Sequence, residues 1–464
     1  MVSAQANLEG LSVEQAPGKA HSIAPVRLWR STRRAYRKKG SDDHNRRRSL
    51  NVGLNGRDNS LGIIRLALAS AVILSHAYPL SGAATEPLAR ISNKQETLGG
   101  VAVLGFFSIS GYLISKSGSR SDVVQYLWHR MLRIFPAYWM ALLVGAVVVG
   151  PITWCVEGHS LFGYAQKAGG SSLAYLTANW KLTIHQYGIY DIFATTTPYG
   201  RSVGGSVLNG SLWTLEYEWM CYMVVGALLV LGVLTRARLL VILIAAALFA
   251  LQVFFLANPM WLAIHLPYFA DQYRISLLLI FLVGSCFAVY SNSIPLNDYL
   301  GVLSALVVLA TLLTAGFALI GFPALAYFIL WLAVRLPQPL RRVGAHNDYS
   351  YGIYVYGFLV EQVLAYFGAY RWGIHFYALC TLIVTVALAW LSWHAIEKQA
   401  LKLKGLGPGR GGRYWARRIA RCGRRRDANL SPPEGVASDN TVSSGRLRSS
   451  ILVHRVNYEG GGTS

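Results

Sequence analysis

The chain has 464 residues, of which 53% are hydrophobic and only 14% are charged, and its mean hydropathy is +0.37. Soluble domains carry about 25% charged residues, so this composition excludes an ordinary soluble enzyme. The formal net charge of +22 is concentrated at the two ends of the chain and does not indicate a globular nucleic-acid-binding surface. The Cys residues form no CxxC pair and no metal-ligand spacing, so neither redox nor zinc chemistry is expected.

The two ends of the chain are polar and basic. Residues 1–58 include the runs RLWRSTRRAYRKKG and HNRRRS, and such a segment cannot bury a core, so we predict a disordered basic arm. Residues 401–464 are predicted to be a second basic, disordered tail. Beside a membrane, arms of this kind fix topology or contact anionic lipids. No specific nucleic-acid partner is expected, and a membrane-anchored nucleic-acid binder is the weaker alternative.

Between these ends, residues 59–400 predict an all-α, polytopic membrane domain with about ten transmembrane helices. A bilayer requires about 20 predominantly apolar residues per helix, and segments near that length follow one another along the chain. They lie at about 61–80, 99–116, 132–150, 211–234, 239–257, 274–290, 300–318, 321–336, 350–368 and 374–396.

The charges of the connecting segments predict the orientation of these helices. Arg residues occur in the connections 117–131, 235–238 and 337–349, whereas the connections on the other side are sparse in Lys and Arg for their length. The positive-inside rule then places both termini in the cytoplasm and the protein in a bacterial-type inner membrane. The longest outer connection, 151–210, is rich in Gly, Tyr and Thr, and is either a lid, part of an acceptor surface or a plain surface loop.

The first apolar segment, Leu61–Leu80, contains a cation, Arg65, and a titratable base, His76. Eleven positions of a helix are three turns plus about 20°, so the two side chains face the same side, about 16 Å apart along the axis. Ionisable groups within a membrane span are costly and are therefore candidates for function. The alternative is an Arg that reaches one interface and a His bonded to a neighbouring helix.

Two further pairs of charged residues occur at the ends of predicted spans. Arg130 and Arg133 lie three positions apart on one helical face. They suit either bidentate phosphate binding or topogenic anchoring.

Glu216 and Glu218 lie in the first turns of the fourth predicted helix, where the helix N-terminus favours carboxylates. The predicted topology puts Glu218 at the depth of His76, in the outer half, and Arg130 and Arg133 at the depth of Arg65.

These segments, in this order, resemble the acyltransferase-3 family of integral membrane acyltransferases. The resemblance covers residues 59–400 and includes the Arg-x10-His helix and the R-x-x-R pair ahead of FPAYW. The block NGSLWTLEYEWMCY matches the family's SLW-S-L-x-x-E-x-x-x-Y pattern, which selects Glu218 over Glu216. The other matching blocks are FFSISGYLI (106–114), SYGIYVYGF (350–358) and WHAIEK (393–398).

The resemblance implies transfer of an acyl group, usually acetyl, from cytoplasmic acyl-CoA, such as acetyl-CoA, to a hydroxyl of an extracytoplasmic or lipid-linked carbohydrate. The acceptor would be an exopolysaccharide, a lipopolysaccharide or a lipo-oligosaccharide, and no metal is expected. Arg65, Arg130 and Arg133 would bind the CoA phosphates. His76 would act as the base or carry the acyl group, with Glu218 orienting it.

The chain departs from the family pattern at one position, and the sequence also allows one alternative function. Gly357 occupies a position at which many members carry a His, so no role of that His is assigned here. Ionisable residues within many spans also fit a transporter or flippase for a lipid-linked saccharide, although no two halves with matching broken helices are evident.

Overall fold

The computed structural model describes residues 49–407, except residues 57, 84, 119–121, 167–168 and 346. The predictions for residues 1–48 and 408–464 lie outside this part of the chain. Every regular element of the described residues is a helix, and the one β-bridge there joins Ser49 to Pro295. The prediction of an all-α fold is therefore confirmed.

Each of the ten predicted segments contains one long helix. The helices are α1 (Leu61–Ser81), α2 (Leu98–Gly118), α3 (Val123–Leu143), α4 (Thr214–Val230), α5 (Arg238–Ala257), α6 (Gln272–Val289), α7 (Asp298–Leu313), α8 (Phe322–Arg335), α9 (Ser350–Tyr366) and α10 (Ile374–Ser392).

Short helices extend or connect these ten. π-Helical turns prolong α3 and α10 and precede α8, at Val144–Val149, Trp393–Glu397 and Phe317–Gly321. Further short α-helices are Leu50–Gly53, Pro87–Ile91, Gly150–Val156, Leu161–Gln166, Ser172–Asn179, Pro198–Val203, Val233–Arg236, Pro259–His265, Gln338–Arg341 and Lys398–Lys402. Four 3-10 turns lie at Gly210–Trp213, Pro267–Phe269, Ala369–Trp372 and Leu403–Gly405.

Seven helical stretches of the described chain are long and apolar enough to cross a membrane, which does not confirm the predicted count of ten. The remaining helices, α4, α7 and α9, have 17, 16 and 17 residues. At 1.5 Å per residue these lengths reach only about 24–26 Å, short of a hydrocarbon layer of about 30 Å. The seven stretches are Leu61–Ser81, Leu98–Gly118, Val123–Val156, Arg238–Ala257, Gln272–Val289, Phe317–Arg335 and Ile374–Gly405.

The packed part of the chain extends beyond both predicted domain boundaries. Leu50 and Leu54 are buried, and the Leu50 amide donates a hydrogen bond to the carbonyl of Ile294. At the other end, the Trp128 indole donates to the carbonyl of Leu403 over 3.1 Å. Residues 49–58 and 401–407 therefore belong to the helical domain, because they bury apolar groups and satisfy backbone groups on it.

The backbones of α2 and α6 approach each other closely through glycine. A Cβ atom added at Gly111 would lie 2.0 Å from the Phe281 carbonyl oxygen. One added at Gly284 would lie 2.2 Å from the Ser108 carbonyl oxygen. Small residues at such positions let membrane helices come together where no hydrophobic effect drives their association. This contact fixes α2, from which Ser110 faces the cavity described below.

We expect Gly111→Ala and Gly284→Ala each to lower the free energy of unfolding by about 1–3 kcal/mol, because the added methyl group meets backbone atoms that cannot yield. Thermal unfolding of the purified protein in detergent measures the effect. Gly226→Ala in α4 is the matched control, since its Cβ would meet its nearest neighbour, a Tyr126 ring carbon, at an ordinary 3.6 Å. Equal melting temperatures for all three variants would contradict this account of the packing.

Candidate active site

Two cavities lie at opposite ends of α1. The first, the arginine cavity, has a volume of about 310 Å³, and Arg65 faces it. The second, the histidine cavity, has a volume of about 610 Å³, and His76 faces it. Since both residues are on one helix, about 16 Å apart along its axis, the cavities occupy different depths of the molecule.

The arginine cavity gathers the three cations that the sequence predicted, together with one that it did not. Arg65 comes from α1, and Arg130 and Arg133 come from α3. The fourth, Lys404, lies in the 3-10 turn after α10, within the segment predicted to be a disordered tail. Three separate parts of the chain therefore concentrate positive charge on one space, as the binding of a phosphorylated ligand requires.

A single carboxylate, Asp348, fixes two of these arginines. Its Oδ2 atom lies 3.1 Å from Nη2 of Arg65 and 2.5 Å from Nη2 of Arg133. The Ser350 hydroxyl donates to Oδ1 over 2.6 Å. Burial by itself would raise the pKa of Asp348, but the charges of Arg133 and Arg65 and the hydrogen bonds from Ser350 outweigh it and lower the pKa to about 2. Asp348 is therefore ionised at neutral pH.

Arg133 and Arg130 differ in how firmly they are held. Arg133 also lies 3.7 Å from Oε2 of Glu397 and 5.3 Å from the ring centre of Tyr351. Arg130 has no carboxylate partner among residues 49–407 as described. Its contact to the Ser117 hydroxyl is long, at 3.4 Å, and its buried Nε atom has no hydrogen-bond partner there. Arg130 is thus the arginine most available to a ligand.

Glu218 faces the arginine cavity, whereas the sequence predicted it at the depth of His76 as its orienting partner. It shares the lining with the arginines and accepts a hydrogen bond from the Tyr222 hydroxyl. Glu216 faces the histidine cavity instead. Two positions of an α-helix are about 200° apart, so the two glutamates point to opposite sides of α4. A topology predicted from loop charges orders residues by depth along the helices and does not give the rotation of α4 about its axis.

The carboxylate beside His76 is Glu361 of α9, which the sequence interpretation missed. Oε2 of Glu361 lies 3.8 Å from Nδ1 of His76. The His76 side chain is 29% exposed, whereas that of Glu361 is fully buried, so only the imidazole can meet a substrate. The signal was present, because an acidic residue within the apolar segment 350–368 is exceptional for the same reason as His76.

Phe358 and Tyr354, one helical turn apart on α9, face different cavities. Phe358 packs edge-on against His76, with 5.4 Å between ring centres, in the histidine cavity. One helical turn earlier, Tyr354 faces the arginine cavity and shares a hydrogen bond with the Thr214 hydroxyl. Its own hydroxyl also donates to the Ser211 carbonyl over 3.0 Å. Helix α9 thus lines both cavities, as α1 and α4 do.

The connection 151–210 contributes to the histidine cavity. Tyr187, Tyr199 and Val207 line it, opposite His76 and Trp213. Part of the connection 151–210 therefore faces the same space as His76 and is not remote from the candidate site.

A comparison with known protein families identifies the family of the chain. The model of the acyltransferase-3 family, described as an acyltransferase domain, matches residues 58–394, which is well over half of the chain. The chain belongs to the acyltransferase-3 family. With seven membrane-length helices, this acyltransferase is a multi-pass membrane protein.

Two relatives of this acyltransferase carry descriptive names. The "O-acetyl transferase" of Shigella phage Sf6 is 27% identical over 360 residues, which are 74% of this chain and 96% of that protein. "Nodulation protein 10" of Rhizobium leguminosarum bv. viciae is 29% identical over 387 residues, which are 75% of this chain and 95% of that protein. No solved structure matches the chain.

Gly357, at which the acyltransferase departs from the family pattern, lies where α9 meets α1 near His76. A Cβ atom at this position would lie 3.0 Å from Cγ1 of Ile73, so a larger side chain would have to displace Ile73. The glycine therefore allows α9 to approach α1 closely, which brings Glu361, one turn further on, to His76.

We expect Asp348→Asn to lower the free energy of unfolding by about 3–5 kcal/mol at pH 7, because two buried guanidinium groups lose their shared counter-charge. Since the folded pKa is lowered from 3.8 to about 2, the stabilisation is present above pH 3.8 and is lost as the pH falls through 2. The difference in melting temperature between wild type and variant should shrink below about pH 4.

Asp298→Asn is the control for this measurement. Asp298 forms an ion pair with Arg335, but its side chain is 61% exposed. An exposed pair contributes about 0–1 kcal/mol, so we expect this variant to unfold almost as wild type does. A difference between Asp348→Asn and wild type that did not shrink below about pH 4 would contradict the assigned titration.

Proposed function

We propose that this acyltransferase moves an acetyl group from acetyl-CoA, bound in the arginine cavity, to a hydroxyl of a carbohydrate bound in the histidine cavity. The observation that carries the proposal is the arrangement on α1: a cationic cavity meets one end of the helix, and a histidine with a buried carboxylate meets the other. The name of the phage relative, an O-acetyl transferase, supports the choice of acetyl as the group transferred.

The binding of acetyl-CoA in the arginine cavity is inferred from the charges of its lining residues. CoA carries several phosphate charges, and Arg65, Arg130, Arg133 and Lys404 line one cavity that could receive them. Asp348 neutralises part of the charge of Arg65 and Arg133 and holds both guanidinium groups in place. We therefore assign to Arg130 and Lys404 the first contacts with phosphate, and to Arg65 and Arg133 a preorganised second set.

The binding of the acceptor in the histidine cavity is inferred from His76, which can act as a general base. A general base must reach the proton that it removes, and an imidazole has a suitable proton affinity near neutral pH. In the proposed step, His76 takes the proton of the sugar hydroxyl while the hydroxyl oxygen attacks the thioester carbonyl. The carbon–sulfur bond then breaks, and the proton returns to the CoA thiolate. Glu361, buried beside Nδ1, would orient the ring and stabilise its protonated form.

Glu218 keeps a place in the proposed site, but on the donor side. Its carboxylate accepts from Tyr222 among the arginines, so it would position the cations and would not orient His76. His76 would act either as a base only or as a carrier of the acetyl group between the cavities. In both cases we propose that the acetyl group passes Tyr354 and Thr214. No group of three or more potential metal ligands occurs among the described residues, and the proposed chemistry uses none.

The proposed orientation follows from the donor. Acyl-CoA is a cytoplasmic metabolite, so the arginine cavity would open to the cytoplasm and the histidine cavity to the outside, with both termini cytoplasmic. The distribution of Arg in the connecting segments agrees with this orientation in an inner membrane. The acceptor class, an exopolysaccharide, a lipopolysaccharide or a lipo-oligosaccharide, is inferred from the family, and membrane lipids surround the helices.

We expect His76→Ala to reduce acetyl transfer by about 10²–10⁴-fold while the protein still folds and inserts, because a general base contributes that much. The assay follows label from acetyl-CoA into glycan by purified protein in proteoliposomes. His265→Ala is the control, since His265 stacks on Trp261 at an exposed position away from both cavities. Near-wild-type transfer by His76→Ala would rule out the role assigned to His76. If the protein were instead a transporter, the wild-type protein would transfer no acetyl group.

Glu361→Gln tests the buried partner of the base. We expect a smaller loss than for His76→Ala, because the amide keeps the shape but cannot stabilise a protonated imidazole. The loss should appear mainly in kcat, with little change in the KM for acetyl-CoA, since Glu361 is far from the donor cavity. Unchanged kcat would show that Glu361 is only a buried packing residue.

Arg130→Ala should raise the KM for acetyl-CoA about 10–100-fold, as expected when one charge-assisted contact of about 1.5–3 kcal/mol is lost. Arg342→Ala removes a cation from an exposed position that lines neither cavity, and should leave the KM unchanged. If both variants had the wild-type KM, Arg130 would serve topology or packing and not the donor.

A further inference from the structure

The histidine cavity has the opposite electrostatic character to the arginine cavity. Among its lining residues within the described part of the chain, none is Lys or Arg, and Glu216 is a carboxylate. Glu216 makes no hydrogen bond and no ion pair with any described residue, and it is only partly buried. A charged group without a counter-charge at the wall of a cavity is a determinant of what that cavity accepts.

We propose that the acceptor saccharide carries no anionic group on the part that enters this cavity, and that Glu216 is the residue that selects it. Neutral sugars would be accepted and amino sugars favoured, whereas uronic acids and phosphorylated sugars would be repelled. The inference rests on the proposed function and adds the charge class of the acceptor to it.

The remaining lining of the cavity fits a saccharide. Tyr187, Tyr199, Trp213, Tyr217 and Tyr273 surround the space beside His76. Aromatic rings offer apolar faces for the C–H side of a sugar ring, and phenolic hydroxyls can bond to its hydroxyl groups. A highly charged ligand would instead need several fixed cations, as the arginine cavity has.

The surroundings of the cavity reinforce its negative character. Tyr217 donates a hydrogen bond to Asp271, which places a second carboxylate behind the aromatic wall. A cation beside the aromatic wall, Arg274, lies over the Tyr217 ring and is already engaged: it lies 3.7 Å from Asp271 and donates to the carbonyl of Tyr268 over 2.5 Å. Arg274 therefore compensates Asp271 and leaves Glu216 without compensation.

The test uses the full-length protein in proteoliposomes, radiolabelled acetyl-CoA and a total glycan extract from cells of the organism that encodes the chain. After reaction, mild acid releases saccharides from lipid carriers, so that carrier phosphates do not contribute charge. Ion-exchange chromatography then separates anionic, neutral and cationic products. We expect label in the neutral or cationic fractions, and label confined to the anionic fraction would overturn the proposal.

Two variants link this outcome to Glu216. Glu216→Lys should increase the labelled anionic share about tenfold relative to the other fractions, because repulsion becomes attraction. The isosteric Glu216→Gln, which tests the same point if the Lys variant does not fold, should lower the ratio of cationic to neutral product. Glu157→Lys is the control, since Glu157 lines neither cavity. An unchanged distribution in both Glu216 variants would also overturn the proposal.

The failure of this inference is distinguishable from that of the proposed function. If wild-type protein transferred no label to any fraction, the assignment as an acetyltransferase of carbohydrates would be contradicted. If transfer occurred into anionic glycans, that assignment would stand and only the charge selection would be wrong.

Discussion

The contact of Asp348 with Arg65 and Arg133 is the interaction on which the rest of the site depends. It ties the start of α9 to two other helices at one carboxylate, close to the arginine cavity. Two guanidinium groups near each other in a low-dielectric space would repel, and a shared anion removes that repulsion. Helix α9 also carries Tyr354 and Phe358, which face the two cavities, and Glu361, which lies beside His76. By fixing the position of α9, Asp348 therefore fixes the position of all three side chains.

The two cavities divide the charges of the molecule according to task. Cations face one space, and Glu216 with aromatic rings faces the other. An anionic donor is attracted to the first space and disfavoured in the second. On the proposed mechanism, this separation keeps the bulk of the donor in the arginine cavity while only its acyl end approaches His76. The charges of the two cavities thus determine on which side the donor and the acceptor bind.

Individual residues of the site could be predicted to different degrees. Arg65 and His76 stood out because ionisable groups in an apolar segment are exceptional, and their shared helical face followed from the 3.6-residue period. Glu361 met the same criterion but was missed. Glu218 was expected to orient His76 but faces the arginine cavity, because a topology drawn from loop charges orders residues by depth and does not say which face of α4 turns toward which neighbour. Lys404 was missed because its segment was basic enough to be taken for a tail.

The sequence by itself determined the helical class, the position of each long helix, the family and the ionisable residues that enter the membrane domain. These follow from local properties: apolar length, helical period and the spacing of motifs. Only the tertiary structure decided that Asp348 joins two arginines, that Glu361 and not Glu218 lies beside His76, and that Arg65 and His76 face two different cavities. Such pairings join residues more than 200 positions apart, and they depend on the rotation and close approach of helices that no local pattern encodes.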